Sequence, residues 1–230
     1  MEQQIGEQEL KFVFDNCLAR KLVFWLQNRC ILDPEYPEGI ISSIYYDTRD
    51  WSFLGEKINS DYLKTKIRLR WYSDRVTGTL LPKNFLEAKF KTGSARQKIR
   101  VETGIDSQWI AGTSLTDPAF LHVPELLLPY GILFAGTLYP ALQINYTRLR
   151  FVDPITGSRL CVDSDIHVSR CNRTMVKTLR SHPLKQAVFE FKGKSGVLPD
   201  WLHQLMAFGC RRGSFSKFSA CYQHVTNIQF

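Results

Sequence analysis

The feature of this sequence that most limits its fold is a strict alternation of charged and apolar residues. In residues 62–72 four cations occupy successive alternate positions, Lys64, Lys66, Arg68 and Arg70. Successive side chains of a β-strand point to opposite faces, so as a strand this segment places all four cations on one face. Considered alone, the pattern favours a half-buried strand whose charged face contacts water.

The same two-faced pattern recurs along the chain, and charged residues of one parity oppose apolar residues of the other. The recurring charged sets are Glu7, Glu9 and Lys11; Glu87, Lys89 and Lys91; Arg96, Lys98 and Arg100; and Glu190 and Lys192. Closing such strands into a barrel, with the apolar face outward against helices, turns the charged face inward. Because unpaired buried charge is very costly, that interior requires interspersed carboxylates and bound polyanions or metal ions.

Period-two segments predict about eight strands, mostly antiparallel. They cover residues 7–14, 40–47, 62–73, 84–91, 95–102, 139–152, 158–163 and 186–193. Helices are expected after a cap at Asp15 or Asn16, after Pro199, and over residues 50–57, 117–128 and 216–224. The predicted fold class is α+β, a closed antiparallel β-barrel with helices packed on the outside. No linker composition is evident, so a single domain over residues 1–230 is predicted.

Composition narrows the partners and the compartment. The net charge of +8 favours an anionic partner. Six cysteines without a CxxC pair indicate reduced thiols, so a cytoplasmic location is expected. The most apolar region, residues 126–138, is interrupted by Pro129 and Gly131 and is shorter than the roughly 20 residues of a membrane span. No membrane segment is therefore expected. Nucleic acid is not an expected partner, because charge directed into a barrel cannot follow a duplex backbone.

Several ordered motifs resemble those of one family. They are Ile67-Arg-Leu-Arg-Trp-Tyr72, Glu87-Ala-Lys89, Tyr146-Thr-Arg148, Arg159-Leu-Cys-Val-Asp163, Glu190-Phe-Lys192 and Phe215-Ser-Lys-Phe218. Together they resemble the VTC domain, the catalytic domain of the vacuolar transporter chaperone. That domain is a polyphosphate polymerase of the triphosphate tunnel metalloenzyme (CYTH-like) superfamily. The similarity extends from Glu9 to Phe218.

The resemblance implies an ATP-polyphosphate phosphotransferase that adds the terminal phosphoryl group of ATP to a growing polyphosphate chain inside a basic tunnel. It assigns the phosphate-binding, catalytic lining to Lys11, Arg68, Arg70, Lys89, Arg148 and Arg159. It adds substrate contacts at Lys98 or Arg100, and at Ser216 and Lys217 near one mouth, and a metal-binding carboxylate at Glu190. A hard ion, Mn²⁺ or Mg²⁺, suits a carboxylate and phosphate oxygens.

Other interpretations stay open at this point. Glu7, Glu9 and Lys11 also fit the Glu-x-Glu-x-Lys signature of the hydrolytic branch, in which the two glutamates hold a metal that activates water. This favours a metal-dependent tripolyphosphatase or nucleoside triphosphatase acting on triphosphate. A non-catalytic module that binds polyphosphate or inositol phosphates is the third alternative. Lys64, Lys66 and Lys91 are interpreted as rim or surface charges. A membrane partner and the oligomeric state are left open.

Overall fold

The computed structural model describes residues 7–59, 62–194 and 196–228, which form an α+β fold with a large antiparallel sheet and few helices. The strands are β1 (Glu7–Asp15), β2 (Ile31–Leu32), β3 (Glu38–Asp47), β4 (Leu63–Ser73), β5 (Phe85–Thr92), β6 (Ala95–Glu102), β7 (Tyr139–Val152), β8 (Arg159–Cys171), β9 (Gln186–Lys194) and β10 (Arg211–Arg212). The α-helices are α1 (Ala19–Gln27), α2 (Ser52–Ile58), α3 (Ser107–Gly112), α4 (Ala119–His122) and α5 (Lys217–Thr226). Three 3-10 helices cover Asn16–Leu18, Val123–Tyr130 and Asp200–Phe208.

Hydrogen bonds link the strands in the order β10-β1-β9-β8-β7-β3-β4-β5-β6, and β2 pairs with β7. Within the described residues no hydrogen bonds join β10 to β6, so the sheet is not closed and the predicted closed barrel is not confirmed. All eight predicted strand segments coincide with strands. The two-residue strands β2 and β10 were not predicted, because two residues are too short to show an alternation.

The chain divides into two compact units. The first contains the described residues up to Ile40, together with Tyr146–Ile166 and Pro183–Phe215. In its core, the apolar parity of β1, β8 and β9 packs against α1 and the Asp200–Phe208 helix. The core includes Leu10, Phe14, Leu22, Leu26, Leu160, Phe189, Phe191 and Leu205. The predicted sorting of apolar side chains toward helices therefore holds in this unit.

The second unit contains Ile41–Asn145, His167–His182 and the described residues from Ser216 onward. Here the apolar parity of β4 and β5 packs against α3, α4 and the Val123–Tyr130 helix. The core includes Ile67, Leu69, Trp71, Leu86, Ala88, Ile110, Phe120 and Leu127. The prediction of a single domain over residues 1–230 stays a prediction.

Strand β8 is much longer than the sequence indicates. The alternation stops near Asp163, yet the strand continues to Cys171. Asp165 interrupts the pattern because it has a left-handed backbone, with φ of 54°. Asn16 stabilises this conformation: its amide nitrogen donates to Asp165 Oδ1 at 3.0 Å, and its amide oxygen accepts the Asp165 N–H at 2.9 Å. The Asp15 side chain caps the Asn16–Leu18 helix by accepting the Cys17 N–H.

The helices predicted over residues 50–57 and 216–224 are α-helices α2 and α5, whereas two other predicted helices contain 3-10 turns. Pro199 precedes a 3-10 helix, and the segment predicted over residues 117–128 is α4 followed by another 3-10 helix. Helix α3 was not predicted, because its six residues are too few for a 3.6-residue period. Among the described helices, none combines the length and apolar character that crossing a bilayer requires.

The first core offers a test of the packing on α1. Leu22 is fully buried, whereas Phe24 lies on the opposite face and is 70% exposed. Leu22→Ala is expected to lower the free energy of unfolding by about 2–5 kcal/mol, because it removes buried methyl groups and leaves a cavity. Phe24→Ala should change it by less than about 0.5 kcal/mol. Equilibrium urea unfolding measures both, and equal losses would contradict this orientation of α1.

Candidate active site

Three arginines of the second unit surround one buried carboxylate, and we call this group the Glu87 cluster. In the strand register Arg68 of β4 lies opposite Glu87 of β5, which in turn lies opposite Arg100 of β6. Arg68 Nε donates to Glu87 Oε2 at 2.7 Å, and its Nη2 lies 2.6 Å from the same oxygen. Arg70 Nη1 approaches Oε2 to 3.5 Å, and Arg100 Nε approaches Oε1 to 3.7 Å. One carboxylate thus serves three guanidinium groups.

Hydroxyl groups of β3 hold the same two arginines of β4 from the other side. Arg68 Nη1 donates to the Tyr45 hydroxyl at 3.2 Å, and Arg70 Nε donates to Ser43 Oγ at 3.3 Å. The side chains of Arg68 and Arg70 are only 13% and 9% exposed. The alternative of a wetted outer face is therefore excluded for these two arginines.

The positive charges of the cluster lower the pKa of Glu87. Burial by itself raises the pKa of this carboxyl, but the positive charges of Arg68 and Arg70 outweigh burial and lower the pKa from 4.5 to about 2. Lys98 of β6 acts in the same direction. Glu87 is therefore ionised at neutral pH, and the cluster keeps an excess of positive charge that suits an anion.

A second group of charges lies in the first unit, and we call it the Glu190 cluster. Lys11 Nζ lies 3.2 Å from Glu9 Oε1 and 3.4 Å from Glu190 Oε1, so one ammonium group bridges two carboxylates. Arg148 Nη2 lies 3.5 Å from Glu190 Oε2. Burial raises the pKa of Glu9, but Lys11 and Lys192 offset it, and the net direction is down. The predicted residues Lys11, Glu9, Arg148 and Glu190 are thus brought together.

Asp163 fixes the orientation of Arg148 within this cluster. Its two carboxylate oxygens accept hydrogen bonds from Arg148 Nε and Nη2, both at 2.6 Å. This bidentate geometry holds the guanidinium plane in one orientation. Burial by itself lowers the pKa of Arg148, but the Asp163 carboxylate raises it well above its ordinary value. Arg148 therefore stays charged although its side chain is largely buried.

The donor atoms around Glu190 fit a divalent cation in part. Ligand atoms of Cys161, Asp163 and Glu190 all lie within 4.8 Å of one another. Asp163 has both oxygens in short hydrogen bonds to Arg148, and the Cys161 thiol donates to Glu190 Oε2 at 3.7 Å. Glu190 lies farther from Lys11, Arg148 and Cys161, at 3.4 to 3.7 Å. Mg²⁺ commonly binds through one or two carboxylates plus substrate phosphates, and Glu190 with Glu9 suits that pattern.

The remaining predicted site residues occupy other positions on β1, β5, β6 and β8 and at the start of α5, some exposed and some buried. Arg159 is exposed and lies opposite Lys192 in the register, in the same row as Glu9. Lys89 and Lys98 are exposed and lie opposite each other on β5 and β6. Ser216 and Lys217 are buried at the start of α5, where Ser216 Oγ accepts the Ser219 N–H as the helix cap. Glu7 begins β1, but its side chain lies outside the part of the chain that is described.

Site reasoning from the sequence missed Glu87 and Asp163 as site residues, together with Tyr45, Ser43 and Cys161. A signal existed for the two carboxylates, since Glu87 has the parity of Lys89 and Asp163 has the parity of Arg159. No comparable signal existed for the Tyr45 and Ser43 hydroxyls, because their role depends on how β3 and β4 are aligned.

A match to a protein-family model shows the family to which the chain belongs. The model described as "VTC domain" matches residues 7–109 and 130–226, which is most of the sequence. The chain belongs to the VTC family. No curated protein sequence matches it significantly.

Two solved structures are similar to this VTC-family chain. A protein from Bacillus halodurans, named provisionally as an adenylate cyclase, is 14% identical with a TM-score of 0.53, and the match covers 92% of this chain and 95% of that one. A Vibrio parahaemolyticus protein with the same provisional name is 12% identical over 95% and 98% of the two chains, with a TM-score of 0.45. The first similarity is evidence for the fold alone. Family and fold together support, in general terms, a phosphotransferase or triphosphatase of the triphosphate tunnel superfamily.

The low pKa of Glu87 predicts how stability depends on pH. Because the folded-state pKa lies below the ordinary value, ionised Glu87 stabilises the fold above about pH 4.5, and this contribution is lost as the pH falls towards 2. Glu87→Gln should therefore be less stable than the parent at pH 7, with a difference that shrinks below about pH 4.5. Urea unfolding at a series of pH values measures it.

Glu102→Gln is the matched control, since this glutamate is exposed on the neighbouring strand β6. It should leave the pH profile of stability close to that of the parent. A Glu87→Gln difference that is constant with pH would contradict the charge balance proposed for the cluster.

Proposed function

We propose that this VTC-family chain is a polyphosphate polymerase-like phosphotransferase that uses ATP. The observation that carries the proposal is the burial of Arg68, Arg70 and Arg148 beside carboxylates, within strands whose other face is core. Evenly alternating, preorganised guanidinium groups suit a substrate made of repeated phosphates. Arginine binds phosphate oxygens through a planar pair of donors, and phosphoryl transfer depends mainly on positioning and charge neutralisation.

In the proposed reaction, a terminal oxygen of the polyphosphate chain attacks the γ-phosphorus of ATP. A new P–O bond forms, the bond to the oxygen bridging the β- and γ-phosphorus breaks, and ADP leaves with that oxygen. Arg68 and Arg70 are proposed to orient equatorial phosphate oxygens, with Glu87 keeping both guanidinium groups in place. Arg148, fixed by Asp163, is proposed to stabilise charge that develops on the transferred group. The proposal needs no protein nucleophile.

Lys11, Lys89 and Arg159 are proposed to contact further phosphates as point charges or forks, and Lys98, Arg100, Ser216 and Lys217 to bind substrate. Glu190 and Glu9, with Glu7 as a further candidate, would hold Mn²⁺ or Mg²⁺. That ion supplies charge neutralisation at the phosphate oxygens when bound. The resemblance to the family assigns residues of both clusters to one substrate, and this assignment stays a prediction.

A second candidate function, hydrolysis of triphosphate, is supported by a different observation. Glu9 and Glu190 both contact Lys11, so two carboxylates that could share a metal lie on paired strands. A metal between such carboxylates can activate water, which favours a tripolyphosphatase or nucleoside triphosphatase of the same superfamily. The two functions differ in the acceptor, which is a phosphate chain in one and water in the other.

The first test incubates the protein with ATP and Mn²⁺ and resolves the products by length on a gel, with ADP measured by chromatography. Long polyphosphate with stoichiometric ADP is expected. Arg70→Glu should reduce turnover by about a hundredfold or more, because it removes a preorganised donor and reverses its charge. Lys83→Glu, at an exposed lysine before β5, should keep turnover.

Arg70→Lys keeps the charge but loses the fork, so an intermediate loss is expected and it shows whether folding survives change at this position. Orthophosphate as the sole phosphate product would favour the hydrolase. ATP-independent anion binding without any turnover would favour a non-catalytic module. Full turnover of a folded Arg70→Glu protein would refute the role of the Glu87 cluster.

A second test concerns the metal. Glu190→Gln should raise the Mn²⁺ concentration that gives half-maximal activity, by about tenfold or more, because it removes a proposed ligand that is more buried than Glu9. Glu125→Gln, at an exposed glutamate, serves as the control. An unchanged Mn²⁺ dependence in a folded Glu190→Gln protein would show that Glu190 pairs only with Lys11 and Arg148.

A further inference from the structure

Three rows of charge cross β4, β5 and β6 on the face that carries the Glu87 cluster. The register gives an inner row of Arg68, Glu87 and Arg100, a middle row of Lys66, Lys89 and Lys98, and an outer row of Lys64, Lys91 and Arg96. The inner row mixes cations with a carboxylate. Each position of the middle and outer rows is a cation.

This register places like charges directly opposite one another. In the outer row Lys91 faces Lys64 on one side and Arg96 on the other, and Lys89 of the middle row is flanked in the same way. Like charges directly opposite across a sheet are destabilising. The Glu56 carboxylate of α2 approaches this end of β4, where it accepts the Thr65 N–H at 2.5 Å. The three cations of the outer row outnumber this carboxylate, and a multivalent anion would offset their mutual repulsion.

Beyond the two arginines of β4, the cations of these rows are half-buried or exposed. Arg68 and Arg70 are nearly buried, whereas Lys64 and Lys91 are half-buried and Arg96 is exposed. At about 3.4 Å per residue, Lys64 lies roughly 14 Å along the strand from Arg68. A cationic path therefore leads along one face from solvent to the buried arginines.

We propose that the outer row binds the part of a polyphosphate chain that extends beyond the phosphates held at the Glu87 cluster. This inference rests on the proposed function and deepens it, because it makes Lys64, Lys91 and Arg96 determinants of chain length. A short anion bound at the inner row does not reach the outer row, whereas a long linear chain does. Long polyphosphate should then bind more tightly than tripolyphosphate, through added contacts.

The observations favour an inorganic chain over other polyanions. The path continues the same strand face as Arg68 and Arg70, so one extended ligand can contact all three rows. The aromatic ring of Phe85 beside these rows is covered by the Arg100 guanidinium, 3.6 Å from its centroid, and the exposed ring of Tyr62, beyond the outer row, has one side against Gly93. Binding of single-stranded nucleic acid relies on open aromatic faces for stacking. A linear phosphate chain needs none.

The test compares a triple variant, Lys64→Gln, Lys91→Gln and Arg96→Gln, with a control of equal charge change. The control replaces exposed cations of the first unit, Arg20→Gln, Lys21→Gln and Lys185→Gln. Calorimetry measures affinity for long-chain sodium polyphosphate and for tripolyphosphate, without metal or turnover. The outer-row variant should lose about tenfold in affinity for the long chain and less than about twofold for tripolyphosphate.

The control should keep both affinities within about twofold of the parent, because it changes net charge but not the path. Urea unfolding at low salt provides the folding readout, and the outer-row variant should be at least as stable as the parent once like charges are removed. Equal affinities for the long chain in the outer-row variant and the control would overturn the proposal. An equal loss for tripolyphosphate would also overturn it.

Two further probes distinguish other polyanions. If the outer-row variant loses binding to duplex DNA or to phosphatidylserine vesicles but keeps its affinity for long polyphosphate, the assignment to polyphosphate is overturned. The result is separable from the proposed function, since binding is measured without catalysis. Failure to make polymer from ATP would refute the polymerase, whereas the contrast between long and short chains tests the outer row alone.

Discussion

The constraint on which the rest of this structure depends is the pairing of buried guanidinium groups with carboxylates. An arginine on a strand face can leave bulk water only if its charge is balanced and its donors are used. Glu87 does this for Arg68 and Arg70, and Asp163 does it for Arg148. Because each carboxylate sits on a strand beside its arginines, the hydrogen bonds of the sheet and the ion pairs support the same register. The apolar parity of these strands is then free to build the two cores.

The two clusters differ in how firmly they hold their cations. In the Glu190 cluster, Asp163 binds Arg148 through two of its nitrogens, Nε and Nη2, so the guanidinium plane is fixed before any ligand arrives. In the Glu87 cluster, one carboxylate is divided among three arginines at distances from 2.6 to 3.7 Å. The contacts of Arg70 and Arg100 with Glu87 are therefore longer than those of Arg148 with Asp163.

Features that repeat with a short period along the chain could be predicted from the sequence. Alternation placed all eight predicted strands, and the same alternation put Lys11 with Glu9 and Arg68 with Arg70 on shared strand faces. It could not show that β8 continues past Asp163, because the left-handed Asp165 depends on a partner, Asn16, that is distant in sequence. It could not rank Glu87 above other glutamates, because ranking needs the cross-strand register. Closure of the sheet is likewise a long-range property that alternation alone does not determine.

The position of Lys11 matters for the protein when no ligand is bound. Its ammonium group bridges Glu9 and Glu190, two carboxylates that would otherwise repel each other on paired strands. The chain therefore contains its own counter-ion at this point, and the two carboxylates can lie close together without a cation from the medium. A chelating buffer would remove dissolved divalent ions and leave the pairing of β1 with β9 intact.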